Sequence, residues 1–541
     1  MDVPPQNTLA QPPQLPSKSV VGAAGSVSIA TMISRVLGVA REMVMARYFG
    51  AGFFTDAFNI AYRIPNLLRD LFAEGALSSA FVPTFIRYLT QRSRDEAWLL
   101  ANRVINALVV ILGVLTLVIF LGAKWFVYLL AAGYADIPGK FELTMQMTRI
   151  MSPFLFWVAL AAVVMGILNA CGSFFIPAIA PAAFNVCCIL AGVFLSPLMP
   201  YVGLEPIVSM AIGATLGGAS QLFVQVPAAY RAGYRYRFAL DLADPGLRQV
   251  GKLMLPAVIG LSATQINITV DNQLASLYGN GPVSWLNYAF RLMQLPIGVF
   301  GVAIATATLT TVSHHAAANA LDKLRDTVAS SLRLAACLTF PATVGLIVFR
   351  EEITRLLYER GSFLPADTIQ TSRVLLFYAL ALYAYSAVKI LVPTFYALND
   401  TRTPVRTSVI TVGVKVAINF LLIVPLKFLG LALATALASW LNFGLLLVHL
   451  TRRTGSGWRW RELAVYLRIA LASVAMGVVA LLAFNVAQRA LRGPGQLALL
   501  AQLGIAIATG VASIYPLLRL FAVDDAAEVA SLIRRLWRRA R

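Results

Sequence analysis

The strongest restriction on how this chain can fold is a run of about twenty apolar residues, the length a helix needs to cross a membrane, that returns along its whole length. Fourteen such spans are drawn, at about 20–46, 56–86, 98–122, 144–170, 178–197, 206–229, 250–277, 282–311, 327–349, 370–396, 405–427, 430–450, 464–487 and 497–521. In hydrocarbon every backbone N–H and C=O must be satisfied within the protein, which a helix does segment by segment. The expected fold is an all-α polytopic membrane protein of about 14 transmembrane helices. Composition agrees, since 59% of the 541 residues are hydrophobic and 13% charged, against about a quarter charged in soluble domains. The mean hydropathy is +0.75.

The net charge of +20 could suggest nucleic acid, but the basic residues stand singly between apolar runs. An excess of Lys and Arg in cytoplasmic loops explains them better. One alternate set of loops holds Arg87, Arg92 and Arg94, then Arg231, Arg235, Arg237, Arg248 and Lys252, then Lys323, Arg325, Arg402 and Arg406, and finally Arg452, Arg453, Arg459 and Arg461. The opposite set is poorer, with Arg47, Lys140, Lys427, Arg489 and Arg492, and its basic stretch from Arg350 to Arg360 is offset by Glu351, Glu352 and Glu359. Both termini are therefore expected in the cytoplasm. Residues 1–18, with five prolines, read as a disordered tail and not as a signal peptide. Residues 522–541 end in Ile-Arg-Arg-Leu-Trp-Arg-Arg, a basic amphipathic helix suited to anionic headgroups.

An internal repeat divides the spans. Asn59-Ile-Ala-Tyr-Arg63 in the second returns as Asn287-Tyr-Ala-Phe-Arg291 in the eighth, 228 residues later. Leu168-Asn169, ending the fourth, returns as Leu398-Asn399, ending the tenth, 230 residues later. Both pairs lie six spans apart, so the halves share one orientation. This predicts an N-lobe of six helices over 19–230, a cytoplasmic loop at 231–249 and a C-lobe of six over 250–450, as parallel repeats around a central site. The two helices of 464–521 fall outside the repeat.

The stretch from Ser34 to Phe85 concentrates charge in apolar surroundings: Arg35, Arg41, Glu42, Asp56, Arg63, Arg69, Asp70 and Glu74. An ionised group near a helix centre costs about 2.5–3.5 kcal/mol on insertion scales, so these side chains must line a wet cavity or meet a counter-charge. Asp56, Asn59, Arg63, Asn66 and Asp70 recur at spacings of three and four, which is one helical face. Pro65 should kink that helix and re-aim Arg69 and Glu74. Arg35 and Glu42 share a face of the first span, while Arg41 points elsewhere. Guanidinium groups offer paired donors to phosphate oxygens and stay charged, so Arg35, Arg41, Arg69 and Arg291 suit a diphosphate, with Glu42, Asp56 and Glu74 holding the cluster together when empty. The competing reading is that these arginines form inter-helix salt bridges or snorkel to headgroups. Asp271, alone in Thr-Gln-Ile-Asn-Ile-Thr-Val-Asp-Asn of the seventh span, can coordinate Na⁺ or carry a proton, or be one hydrogen-bonded polar patch.

Cys171, Cys187, Cys188 and Cys337 lie in apolar segments, and His314 and His315 end a span, neither in a metal-binding pattern. No Gly-Lys-Ser phosphate loop, nucleophile elbow or zinc motif occurs, so nothing points to an enzyme or to ATP hydrolysis. No cofactor is expected beyond Na⁺ or H⁺ as a coupling ion.

Pro65-Asn-Leu-Leu-Arg69, Phe72-Ala-Glu-Gly-Ala76 and Ala80-Phe-Val-Pro83 resemble the signature of the MurJ (MviN) family of the MOP transporter superfamily. The likeness runs through Ser34-Arg-Val-Leu-Gly38, Asp56-Ala-Phe58, Arg291-Leu-Met-Gln-Leu-Pro296 and Tyr396-Ala-Leu-Asn-Asp-Thr-Arg-Thr-Pro404, and covers residues 20 to 521. The resemblance implies a lipid II flippase of the bacterial cytoplasmic (inner) membrane. Such a protein moves undecaprenyl-diphosphate-linked disaccharide-pentapeptide from inner to outer leaflet by alternating access, for peptidoglycan synthesis and cell shape. It implies a substrate-binding set of Ser34, Arg35, Arg41, Glu42 (where many members have aspartate), Asp56, Arg63, Arg69, Glu74 and Arg291, and a groove at spans thirteen and fourteen for the prenyl tail. Asp271 is similar to the aspartate some members use for Na⁺. Phe290 departs from the acid expected in some relatives. The implied partners are lipid II, membrane lipids and the cell-wall synthesis machinery, and no nucleic acid. Alternatives are a flippase for another polyprenyl-diphosphate-linked polysaccharide, a cation-coupled drug exporter, whose cavity would favour acidic and aromatic walls, and a non-transporting cell-wall scaffold, which needs no intramembrane arginines.

Overall fold

The computed structural model describes residues 17–71, 77–455, 460–491, 493 and 495–523. Glu74, the chain before residue 17 and the basic tail after residue 523 lie outside the described residues. Among the described residues every regular element is a helix. Nine are long and apolar enough to cross a membrane, or ten if Pro365–Ala379 and Leu382–Ala397, bent by 44°, form one span. Four further expected spans have helices in place outside that count: Ser17–Phe49, Phe53–Arg69 with Ser78–Gln91, Val208–Arg231 and Pro245–Ser276. Three of these four carry candidate site residues.

The repeat reappears in backbone detail. Phe53–Arg69 runs through Pro65 and then loosens into π-helical geometry at Asp70 and Leu71, and Pro282–Pro296 does the same at Ile297–Gly301. Adding 228 to Asp70 gives residue 298, so both halves break their helix at one equivalent place. Wide turns of this kind free backbone groups and cluster at functional sites.

Packing separates two compact units, one of Met1–Arg41, Pro65–Leu121 and Arg149–Val258, the other of Glu42–Ile64, Gly122–Thr148 and Ile259–Arg541. Four of the five divisions fall inside helices and the fifth at the end of Arg94–Leu121, none in the 231–249 loop.

In the first unit, Phe175–Leu190 and Val208–Arg231 approach closely along Gly213-x-x-x-Gly217, a spacing that puts two small residues on one face. A Cβ at Gly213 would stand 2.6 Å from that of Ala191, and one at Gly217 would stand 2.7 Å from the Phe184 ring. The 231–249 loop is also no free linker. Buried Asn102 donates to the Arg235 carbonyl (3.1 Å) and accepts from the Tyr234 hydroxyl (2.7 Å) and the Arg237 N–H (3.1 Å). One turn on, Asn106 donates to the Ala239 carbonyl (3.1 Å) and accepts from the Tyr236 hydroxyl (2.7 Å). A side-chain amide both donates and accepts, so these two replace the sheet partner that an extended backbone otherwise needs.

In the second unit, the two helices outside the repeat, Trp460–Ala490 and Gln496–Leu520, send Ile469, Met476, Ile514 and Leu518 into the same core as Val328 and Phe443. Their outer faces expose Val474, Leu482, Val486 and Leu500, an apolar surface of the kind that seeks lipid. Asp400 closes the start of Arg402–Leu426, accepting from the N–H groups of Arg402 and Thr403 and from the Thr403 hydroxyl, and pairs with Arg453 at 3.0 Å. The Thr403 N–H, ahead of the Arg453 charge, holds the Asp400 carboxyl below the usual range.

Gly213→Leu must push Ala191 aside and is expected to cost about 1–3 kcal/mol, as overpacking does. It should lower the thermal midpoint of the purified chain. Gly113→Leu, whose Cβ meets nothing within 4 Å, should not, and equal effects of the two would refute the close approach.

Candidate functional site

The first helix ends at Phe49, and Gly50, with φ of +68°, turns the chain so that Phe53–Arg69 can start. A Cβ at Gly50 would lie 2.3 Å from the Ser362 carbonyl. This turn delivers Asp56, fully buried, to the N-terminus of Pro282–Pro296. One Asp56 oxygen accepts from the Gly281 N–H (2.7 Å) and from Lys140 Nζ (2.9 Å). The other accepts from the Ser284 N–H (2.8 Å) and hydroxyl (2.6 Å). A carboxylate from the first half thus caps a helix of the second, where free N–H groups and the helix dipole favour negative charge. Lys140, also fully buried, reaches Asn280 Oδ1 (2.9 Å) and the Gly279 carbonyl (3.3 Å), with its ammonium 4.0 Å from the centre of the Tyr134 ring.

Asp56 and Ser284 are 228 residues apart, the offset of the repeat itself. Positions one repeat offset apart therefore touch each other within the second unit. Around them, Tyr288 donates to the Gly50 carbonyl, Ser362 to the carbonyls of Arg47 and Tyr48, and the Gly133 N–H to Ser276. These bonds tie one end of the second unit together. Asp56, expected among the substrate ligands, uses both oxygens in these contacts. Lys140, counted in the sequence as a loop charge, is its partner, and only its position at the start of an apolar span hinted at burial.

Further along the same helix, Asn59 donates to the Ser284 hydroxyl (3.5 Å) and Arg63 to Gln265. The expected polar face is real over Asp56, Asn59 and Arg63. Arg291, half exposed, meets Glu42 at 3.5 Å. Phe290, at the departure from the family pattern, stacks edge-on against Tyr378, so the carboxylate beside Arg291 comes from the first helix and not from the neighbouring position. In the first unit, Arg41 lies over the Phe184 ring at 5.4 Å and Arg69 pairs with Asp70 at 2.9 Å. Arg35 is exposed, and the Ser34 carbonyl, not its hydroxyl, is held by Asn185 (3.1 Å). Of the expected residues the second unit brings together Glu42 with Arg291, while Ser34, Arg35, Arg41 and Arg69 belong to the first.

Asp271 is not isolated. Lys415, buried on Arg402–Leu426, is salt-bridged to one of its oxygens, and Asn419 Nδ2 donates to the other at 2.8 Å. Both carboxylate oxygens face N–H donors, whereas Na⁺ would need oxygen ligands there. The residues present do not fit a sodium ion.

The profile of the family described as Lipid II flippase MurJ matches residues 45–501. The chain belongs to the MurJ family. It is 37% identical to the "Probable lipid II flippase MurJ" of Vibrio cholerae, over 81% of this chain and 86% of that one. It is 35% identical to the "Lipid II flippase MurJ" of Burkholderia cenocepacia, over 79% and 83%. Among solved structures it is similar to "Lipid II flippase MurJ, inward closed conformation", with a TM-score of 0.75 at 29% identity, covering 91% of this chain and 98% of that one. An inward-facing multidrug resistance MATE transporter of the MOP superfamily shares the fold, with a TM-score of 0.67 at 14% identity over 80% and 98%.

Asp56→Ala leaves the Lys140 ammonium buried and unpaired, a change that costs about 3–5 kcal/mol. The thermal midpoint should fall accordingly, and Lys140→Met in the same chain should recover most of the loss. An unchanged midpoint in Asp56→Ala would show that the pair does not bear on stability.

Proposed function

We propose that this chain flips lipid II from the inner to the outer leaflet of the bacterial inner membrane, with the diphosphate of the headgroup bound by arginine side chains. The observation that carries the reading is the Glu42–Arg291 pair. Its guanidinium is half exposed and its partner stands at 3.5 Å, so a diphosphate, with more charge and more acceptor oxygens than one carboxylate, can displace it. Arg35, Arg41 and Arg69, in the first unit, are further guanidinium groups suited to phosphate, and Arg63 orients through Gln265. The basic loops place both termini in the cytoplasm, which assigns the Gly279–Gly281 end to the outside.

In this reading the Asp56–Lys140 seal is the outer latch. Alternating access requires that it part when the headgroup leaves. A ligand moves such an equilibrium only by binding one state better than the other, and the displaced Glu42 supplies the difference by releasing the first helix from Arg291. Net transport draws on the membrane potential or on a proton gradient, and no step is routed through sodium. Enzymes that make and consume the lipid-linked precursor are the natural neighbours of such a protein.

The test is complementation of cells depleted of their own lipid II flippase. Wild type should restore growth, while Arg41→Ala and Arg291→Ala, present in the membrane at equal levels, should lower rescue at least tenfold. Full rescue by both variants would refute the headgroup role of these arginines.

A further inference from the structure

We infer that Lys415 is a built-in counter-cation standing where a coupling metal ion would sit, so that this chain binds no Na⁺ at Asp271. The pair lies on two helices of the second unit, Pro245–Ser276 and Arg402–Leu426. Lys415 is 4% exposed and salt-bridged to Asp271. An unpaired carboxylate within a span is costly, and the ammonium meets that requirement without an ion from solution.

Unmatched oxygens lie on the same two helices. Thr411, Lys415 and Asn419 are spaced by four on one helix, and Asn267 and Asp271 by four on the other, so each set shares a face. Among the described residues, Thr411 Oγ1, Asn419 Oδ1 and Asn267 Oδ1 are buried without a hydrogen-bond partner. Buried acceptors are rarely left unmatched. Three idle oxygens thus lie on the two helices that carry the pair, while the two hydrogen bonds that the carboxylate accepts from Arg402–Leu426 come from nitrogen. Oxygens of this type ligate hard cations. With the lysine in place they have no ion to hold. With its ammonium removed, Asp271 recovers a free oxygen and the Asn419 amide can turn its carbonyl towards it.

The inference rests on the transport reading only in calling such an ion a coupling ion. Its test reads binding and not transport, so its failure is separate from a failure of complementation. The purified full-length chain in detergent is compared in NaCl and in choline chloride of equal ionic strength, by thermal unfolding and by ²²Na⁺ binding. Wild type and Lys415→Arg should have the same midpoint in both salts and no saturable ²²Na⁺ binding. Lys415→Ala should acquire saturable binding and a midpoint that rises with the logarithm of the Na⁺ concentration, as for a ligand that binds the folded state. Asp271→Asn added to that variant should abolish both. Saturable ²²Na⁺ binding by wild type that Asp271→Asn removes would overturn the inference, as would a folded Lys415→Ala chain indifferent to Na⁺. Should Lys415→Ala not survive purification, wild type against Asp271→Asn decides alone, with equal absence of binding expected.

Discussion

The structure depends on one buried ion pair, Asp56 with Lys140, set against the N-terminus of Pro282–Pro296. Removing two charges from water is expensive, and a buried pair recovers that cost only with good geometry and further hydrogen bonds. Both conditions are met, since Asp56 accepts four donors and Lys140 makes two more bonds and faces an aromatic ring. Such a contact specifies a closure without making it irreversible. When the two groups separate into water each recovers its hydration, so parting costs less than the strength of the individual contacts suggests. An apolar seal of equal area has no such return, because opening it exposes surface that water disfavours. For the latch proposed above, charge is therefore the better material.

The other ionised groups within the spans divide by their access to solvent. Lys415 and Asp271 form a tight pair with the lysine almost wholly buried. Glu42 and Arg291 form a loose one with the arginine half exposed. The first type answers the requirement that charge in a membrane be compensated. The second leaves a guanidinium partly available, and availability is what a ligand site needs. This contrast separates residues that hold the protein from those that can hold a substrate better than residue type does, because arginine and aspartate serve in both.

The contact at this end of the second unit joins two positions one repeat offset apart, Asp56 and Ser284. They are different residues, as they have to be, since two aspartates at that point would repel. The π-helical interruption following each copy gives both halves the same point at which a helix can change direction.

Much of this was legible in the sequence. Apolar runs of about twenty residues separated by polar turns determine an all-helical membrane chain, because barrel strands are shorter and alternate in polarity. The spacing of Asp56, Asn59 and Arg63 determines a polar face, since helical geometry is local. The repeated Asn-to-Arg segment determines two related halves. What only tertiary structure decided is pairing. The burial of Lys140, the arrival of Lys415 beside Asp271 across 144 residues of chain, the choice of Glu42 for Arg291, and the strapping of the 231–249 loop by Asn102 and Asn106 all depend on which helices become neighbours. A side chain's identity states that it needs a partner. Its partner is set by packing, and packing joins residues that no local pattern relates.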